Sequence, residues 1–192
     1  MKLIAISAFC TLFLCPVFGA QYVGIDAGAS HSVLTSETHN PKIGYEFGAK
    51  YGYRFENGFR TEIAFDYQKC HFKTKYNMGE QDVVVSKEYR SFHTMSYMAN
   101  VIYDLSQIKV ADITPYVGIG VGYCENTETN KIKYDSKVSQ DKFRDDRFAY
   151  QAIAGAKYDI NADYATALEY HYFCGQTHVK AHKIGVSLIR NF

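Results

Sequence analysis

The stretch KIGYEFGAKYGYRFENGFRTEIAFDYQ, Lys42 to Gln68, decides the fold. Its odd positions from Ile43 to Phe55 are apolar (Ile43, Tyr45, Phe47, Ala49, Tyr51, Tyr53, Phe55). The even ones are glycine or charged (Gly44, Glu46, Gly48, Lys50, Gly52, Arg54). Successive side chains of a β-strand point to opposite faces, so an unbroken period of two reads as a strand with one greasy and one polar face. Glu56-Asn57-Gly58 is a tight-turn sequence, after which Phe59, Thr61, Ile63, Phe65 and Tyr67 alternate with Arg60, Glu62, Ala64, Asp66 and Gln68. Two such runs joined by a turn predict a β-hairpin.

The pattern repeats along the chain. Val23, Ile25 and Ala27 mark a first strand, and Met95, Tyr97, Ala99, Val101 and Tyr103 a fourth. Val117, Ile119, Val121 and Tyr123 stand against Gly118, Gly120 and Gly122, and Phe148 to Tyr158 alternates next. Tyr164 to Tyr172 makes a seventh strand, and Ile184, Val186, Leu188 and Phe192 an eighth. Residues 56–58, 105–112 and 160–163 are short links, whereas 29–41, 69–91, 125–147 and 174–181 are longer. An even strand count with short and long links in alternation predicts an all-β, eight-stranded antiparallel up-and-down transmembrane barrel, with short periplasmic turns and long extracellular loops.

Alternation alone fits a lipocalin-like soluble carrier as well, with its apolar face inward. The glycines discriminate, because Gly44, Gly48, Gly52, Gly118, Gly120, Gly122, Gly155 and Gly185 all lie on the polar face. Glycine weakens a solvent-facing strand without return, but a narrow closed barrel needs small residues opposite large ones inside it. The polar face is therefore expected to line the lumen as an ion-pair network of Glu46, Lys50, Arg54, Arg60, Glu62, Asp66, Lys157 and Glu169. Counting from the Asn57 turn places Gly52 opposite Glu62 and Gly48 opposite Asp66, with Lys50, Arg54 and Arg60 on diagonals. Lys157 comes diagonal to Glu169, and His171 opposite Lys183. Outside, Tyr51, Tyr53, Phe55 and Phe59 gather at one rim and Tyr67, Tyr170 and Tyr172 toward the other, as two aromatic girdles.

The 192 residues are 47% hydrophobic and 21% charged, which excludes a disordered or fibrous chain. With 21 basic and 20 acidic side chains there is no electrostatic reason to bind nucleic acid. Lys2, the apolar run Leu3 to Cys15 and the small residues Gly19 and Ala20 read as a secretory signal peptide over 1–20, followed by the barrel domain over 21–192. The cleaved chain keeps Cys70, Cys124 and Cys174, an odd number in an oxidising compartment. An internal disulfide and an intermolecular cross-link giving a disulfide-linked oligomer both remain open.

Pro115-Tyr116-Val117-Gly118-Ile119-Gly120-Val121-Gly122-Tyr123, the Asn100-Val101-Ile102-Tyr103-Asp104 strand end and Phe148-Ala149-Tyr150-Gln151 with Gly155 carry a resemblance. They are similar to the OmpA-type, opacity-protein-like outer-membrane β-barrel family, which includes major surface antigens of intracellular bacteria. The resemblance spans 21–192 and implies residence in the outer membrane, with its lipid and the barrel-assembly machinery as partners. It also implies that Ile184, Val186, Leu188 and Phe192 form the assembly signal. Arg190 departs from the pattern, standing where the family usually has an aromatic.

Eight strands leave a lumen that side chains fill, so general porin activity is not expected and function falls to the loops. Residues 125–147 hold six basic and six acidic side chains, the balance of a solvated face as well as of a binding site. Alternation runs on through His71 to Tyr76 and Asp82 to Tyr89 around an Asn77-Met78-Gly79-Glu80 turn, and through Ile132, Tyr134 and Val138, which predicts protruding hairpins. Exposed strand edges are templates for a partner's strand, so contact with a host surface protein, and with it adhesion and virulence, is the expected active role. The spacing of the seven histidines fits no metal motif, and no cofactor is expected. A third reading, a lipid A-modifying enzyme, would use Ser91 and His93 on the outer face; no carboxylate in the sequence pattern orients the histidine, so a non-enzyme is expected.

Overall fold

The computed structural model describes residues 19–34, 43–75, 87–134, 137–175 and 179–192. Eight strands, β1 (Gly19–Leu34), β2 (Gly44–Phe55), β3 (Phe59–Lys75), β4 (Lys87–Asp104), β5 (Ile113–Tyr134), β6 (Lys137–Asp159), β7 (Tyr164–Gly175) and β8 (Val179–Asn191), pair in sequence order. Every pairing is antiparallel, and β8 closes on β1. The signal-peptide expectation for 1–20 falls almost wholly outside the described residues, which begin at Gly19.

Turn chemistry fixes the short ends. Gly58 takes φ +84°, a left-handed conformation open to glycine, and donates its N–H to the Phe55 carbonyl at 3.3 Å. Between β4 and β5 the 3-10 turn Ser106–Ile108 and a tight turn closed by the Val110–Ile113 bridge make the reversal. Before β7 the Asn161 side-chain oxygen accepts from the Asp163 and Tyr164 amides at 2.9 and 2.8 Å, an Asx-type turn. At the closing seam the Phe192 N–H donates to the Gln21 carbonyl at 2.9 Å, and the Arg190 guanidinium lies 5.0 Å from the Phe192 ring centre.

The two faces divide as the glycines require. Ile119 is 70% and Phe47 54% exposed on the outside, whereas Lys50 and Glu62 are 6% exposed within. This arrangement removes the soluble-carrier reading, whose apolar residues would have to fill the centre. Register also follows the turn count: Gly52 faces Glu62, Gly48 faces Asp66, and His171 faces Lys183.

Two glycines admit the largest lumen side chains. Gly52 pairs with Tyr22 and Gly155 with Tyr116, and a Cβ on the glycine would come within 2.2 and 2.4 Å, respectively, of the tyrosine Cζ. Both tyrosines are almost completely buried, so the rings have little room to yield. Gly155→Val should therefore cost at least about 1–3 kcal/mol, the range for overpacking a filled core. A lowered urea midpoint for loss of the folded, fast-migrating form on unheated gels would report it, and an unchanged midpoint would contradict the packing.

Within two of the long links the strands run on as protruding hairpins, as the alternation there predicts. The β3–β4 ladder continues to Lys75 opposite Lys87, and the β5–β6 ladder to Tyr134 opposite Lys137. Residues 125–134 and 137–147 are thus strand rather than loop, because pairing satisfies their backbone groups beyond the membrane as it does within it. The turn expected at 77–80 and residues 82–86 lie outside the described residues.

Candidate functional site

Two features can carry function: the polar lumen and the sheet above it. In the lumen Lys50 donates to both Glu169 oxygens at 2.7 and 2.6 Å, and the Tyr116 hydroxyl donates to the same carboxylate at 2.6 Å. His171 Nε2 lies 3.3 Å from Glu169, and Asp26 lies 4.0 Å from Lys50. Glu62 accepts from the Tyr22 hydroxyl at 3.0 Å and from Asn100 at 2.8 Å, and Gln151 donates to Asn100 in turn at 2.8 Å. Higher up, Lys183 sits 3.2 Å from Glu46 and 3.9 Å from Asp66.

Nearer the short turns, Arg60 pairs with Asp104 at 2.9 Å. Its guanidinium stands 5.6 Å from the Tyr22 ring centre and 4.7 Å from that of Tyr116, a cation between two aromatic faces. Ile102, Ala165, Ala167 and Ile189 complete a buried apolar cluster around the two tyrosines. The lumen is consequently filled by side chains at this level.

Of the eight residues expected in the network, Lys50 and Glu169 meet directly, and Glu46 and Asp66 meet through Lys183. Lys157 is diagonal to Glu169 in register, but its ammonium goes to Asp159 at 3.0 Å. Arg54 donates to Asn191 at 3.3 Å. The hairpin diagonals give way to bonds across the lumen, since an eight-stranded barrel is narrow enough for a lysine on β2 to reach a carboxylate on β7. Asp26, Asn100, Asp104, Tyr116 and Gln151 are absent from the expected set, whereas Lys183 is expected in the interior opposite His171. Strand parity was the signal for them, because each shares a face with a lumen glycine or charge.

Among the described residues, Cys70, Cys124 and Cys174 form no disulfide. Cys70 and Cys124 are buried on the lumen side, Cys70 beside Ser30 at 3.5 Å and Cys124 accepting from Asn126 at 3.6 Å. Cys174 has the parity of the outward Tyr170 and Tyr172 and stands opposite Tyr150. Cys174 therefore lies on the opposite face from Cys70 and Cys124, and the three stand on the separate strands β7, β3 and β5.

Outside, Phe59 and Tyr103 meet at 4.8 Å between ring centres at one rim. At the other, the Tyr67 hydroxyl contacts His93 Nδ1 at 2.7 Å and the Tyr170 hydroxyl contacts His182 Nδ1 at 2.6 Å. His93, the base of the enzymatic reading, is thereby part of the aromatic belt. The segment Ile184, Val186, Leu188 and Phe192 faces outward as a row of exposed apolar side chains.

Above this belt β3, β4, β5 and β6 continue as a four-stranded sheet. β2 pairs with β3 only as far as Tyr45 opposite Lys69, and β7 with β6 only as far as Gly175 opposite Ala149. Among the described residues, β6 from Lys137 to Asp146 has a strand on the β5 side and none on the other. Arg144 bonds Glu125 at 2.7 Å and Asp146 at 3.4 Å, and Arg147 bonds Asp145, so the charges at the base of this sheet are matched within it.

Comparison with known proteins agrees with this architecture. The family model described as outer membrane protein beta-barrel domain matches residues 5–192. A protein of Gluconacetobacter diazotrophicus named outer membrane protein is 32% identical over 141 residues, covering 70% of this chain and 36% of that one. An uncharacterized protein of Brucella abortus is 28% identical over 172 residues, covering 81% of this chain and 58% of its own. The chain thus spans about half the length of these curated relatives. Among solved structures, the attachment invasion locus protein Ail of Yersinia pestis, in complex with the heparin analogue sucrose octasulfate, superposes with TM-score 0.57 at 16% identity, covering 91% of this chain and 99% of that one. Neisserial surface protein A gives TM-score 0.57 at 16% identity, covering 90% and 97%. These two likenesses concern the fold.

Proposed function

This chain belongs to the outer membrane protein beta-barrel family and resides in the bacterial outer membrane, and from that premise we propose that it is a surface antigen whose protruding sheet holds a host protein by strand addition. The observation that carries this reading is the edge of β6 from Lys137 to Asp146, which projects past the last β7 pairing. The β7–β8 ladder reaches only to Gly175 opposite Val179, below that edge. A row of backbone donors and acceptors at the surface recruits an extended strand of a partner, with main-chain hydrogen bonds supplying affinity. Ion pairing of Arg144 and Arg147 within the sheet favours recognition by backbone over recognition by net charge. The name of Ail, attachment invasion locus protein, is in keeping with a role of this kind on the same fold.

In this reading the barrel is an anchor and not an enzyme, its lumen filled and its belt histidines bound to tyrosines. Replacing residues 127–144 with a two-residue turn closes the ladder on the Asn126–Asp145 pair and removes most of the edge without entering the membrane-spanning part. Bacteria displaying that variant should lose attachment to cultured host cells, as should a variant with 72–86 replaced by a short turn. Attachment at the level of the parent chain, with both variants present at the surface in equal amount, would reject the proposal.

A further inference from the structure

His31 and His182 stand far apart in the chain, and no spacing motif joins them. Closure of the barrel nevertheless sets them directly opposite each other in the β1–β8 ladder. Both are exposed on the outer face, at the level of the upper aromatic belt. Directly opposed residues of an antiparallel pair hold their Cβ atoms about 4.5–5.5 Å apart. Two imidazoles on that spacing can converge on one ion at about 2.0–2.1 Å from each nitrogen.

His182 is already oriented for such a role. Its Nδ1 is tied to the Tyr170 hydroxyl at 2.6 Å, and the Tyr172 ring packs beside it at 5.3 Å between centres. A metal-bound histidine characteristically has its second ring nitrogen held by an outer partner, which fixes both tautomer and ring direction. Among the described residues no group of three or more His, Cys, Asp or Glu side chains converges on a point. A site here is accordingly an open one, with its remaining positions filled by water or an exchangeable ligand.

We propose that His31 and His182 form a surface site for a divalent transition-metal ion, Cu²⁺ or Zn²⁺, bound through two imidazole nitrogens, with Tyr170 as the positioning residue. With the ion on Nε2 of His182, its Nδ1–H donates to the Tyr170 oxygen. Cu²⁺ binds more tightly than Zn²⁺, following the general order for nitrogen ligands. Because β1 and β8 are the first and last strands, a bound ion clamps the seam at which the barrel closes.

The test adds Cu²⁺ to the untagged mature chain folded in lipid vesicles and follows it by electron paramagnetic resonance. One equivalent with hyperfine structure from two nitrogens is expected. His31→Ala and His182→Ala should each reduce this to one nitrogen, and Tyr170→Phe should weaken binding about tenfold, as loss of an outer partner does. As a second measurement, Cu²⁺ should raise the urea midpoint of the parent chain and leave that of the His31→Asn/His182→Asn variant unmoved. Absence of a stoichiometric two-nitrogen signal in the parent would overturn the proposal. So would survival of that signal, or of the midpoint shift, in the double variant.

Discussion

Arg60→Ala is expected to lower the stability of the folded barrel by about 3–5 kcal/mol, the range for removing one member of a buried ion pair. Two losses combine at this site. Asp104, buried and 2.9 Å from the guanidinium, is left as an uncompensated charge. The space between the Tyr22 and Tyr116 rings also empties, and neither ring can close it because each is packed against the glycine opposite. Arg60→Lys keeps the charge but forfeits the planar stack, so it should fall between the parent and the alanine variant. The chain has no Trp, so unfolding in urea is best followed by the gel mobility of unheated samples from lipid vesicles. An alanine variant as stable as the parent would contradict both the ion pair and the packing of Arg60 between the two rings.

Glu169→Ala should cost a similar amount, about 3 kcal/mol, through the opposite charge. It strips Lys50 of the carboxylate bonded at 2.6 and 2.7 Å, leaving Asp26 at 4.0 Å as a distant substitute, and it orphans the buried Tyr116 hydroxyl. Glu169→Gln retains an acceptor for both donors and should lose clearly less. If the two variants are equally unstable, the charge and not the hydrogen bonding sets the cost. If neither is destabilised, water replaces the carboxylate and the lumen is wetter than its burial indicates.

Much of this was legible in residue order. The odd–even segregation from Ile43 to Tyr67 and the lumen-side glycines determine strand, register and orientation together, since a slip of one residue would turn Glu62 and Lys50 into the lipid. Pairing distances from the Asn57 turn were equally readable, because a tight turn fixes both partners. The partners across the lumen were not. Lys50 and Glu169 are 119 positions apart, and which carboxylate a lysine reaches depends on closure and stagger of the ring, which no local pattern encodes. The same holds for His31 and His182, adjacent only because β8 returns to β1. The protruding hairpin over 125–147 was legible locally, because alternation through Ile132, Tyr134 and Val138 marks paired strands despite the charge density, and cross-strand pairing holds as far as Tyr134 and Lys137.

Four strands are taller than the other four, and this divides the chain into parts that answer to different pressures. β6 runs ten residues from Lys137 to Asp146 beyond its need for β7, a height of about 33 Å along the strand at ~3.3 Å per residue. Its ladder bonds are made by backbone, so the amino acids on that rampart can be exchanged without touching the ring of salt links beneath. Lineages should consequently diverge most above Ala149 and Lys69 and least at Lys50, Arg60 and Glu169, the crown drifting while the stave-work that carries it stays fixed.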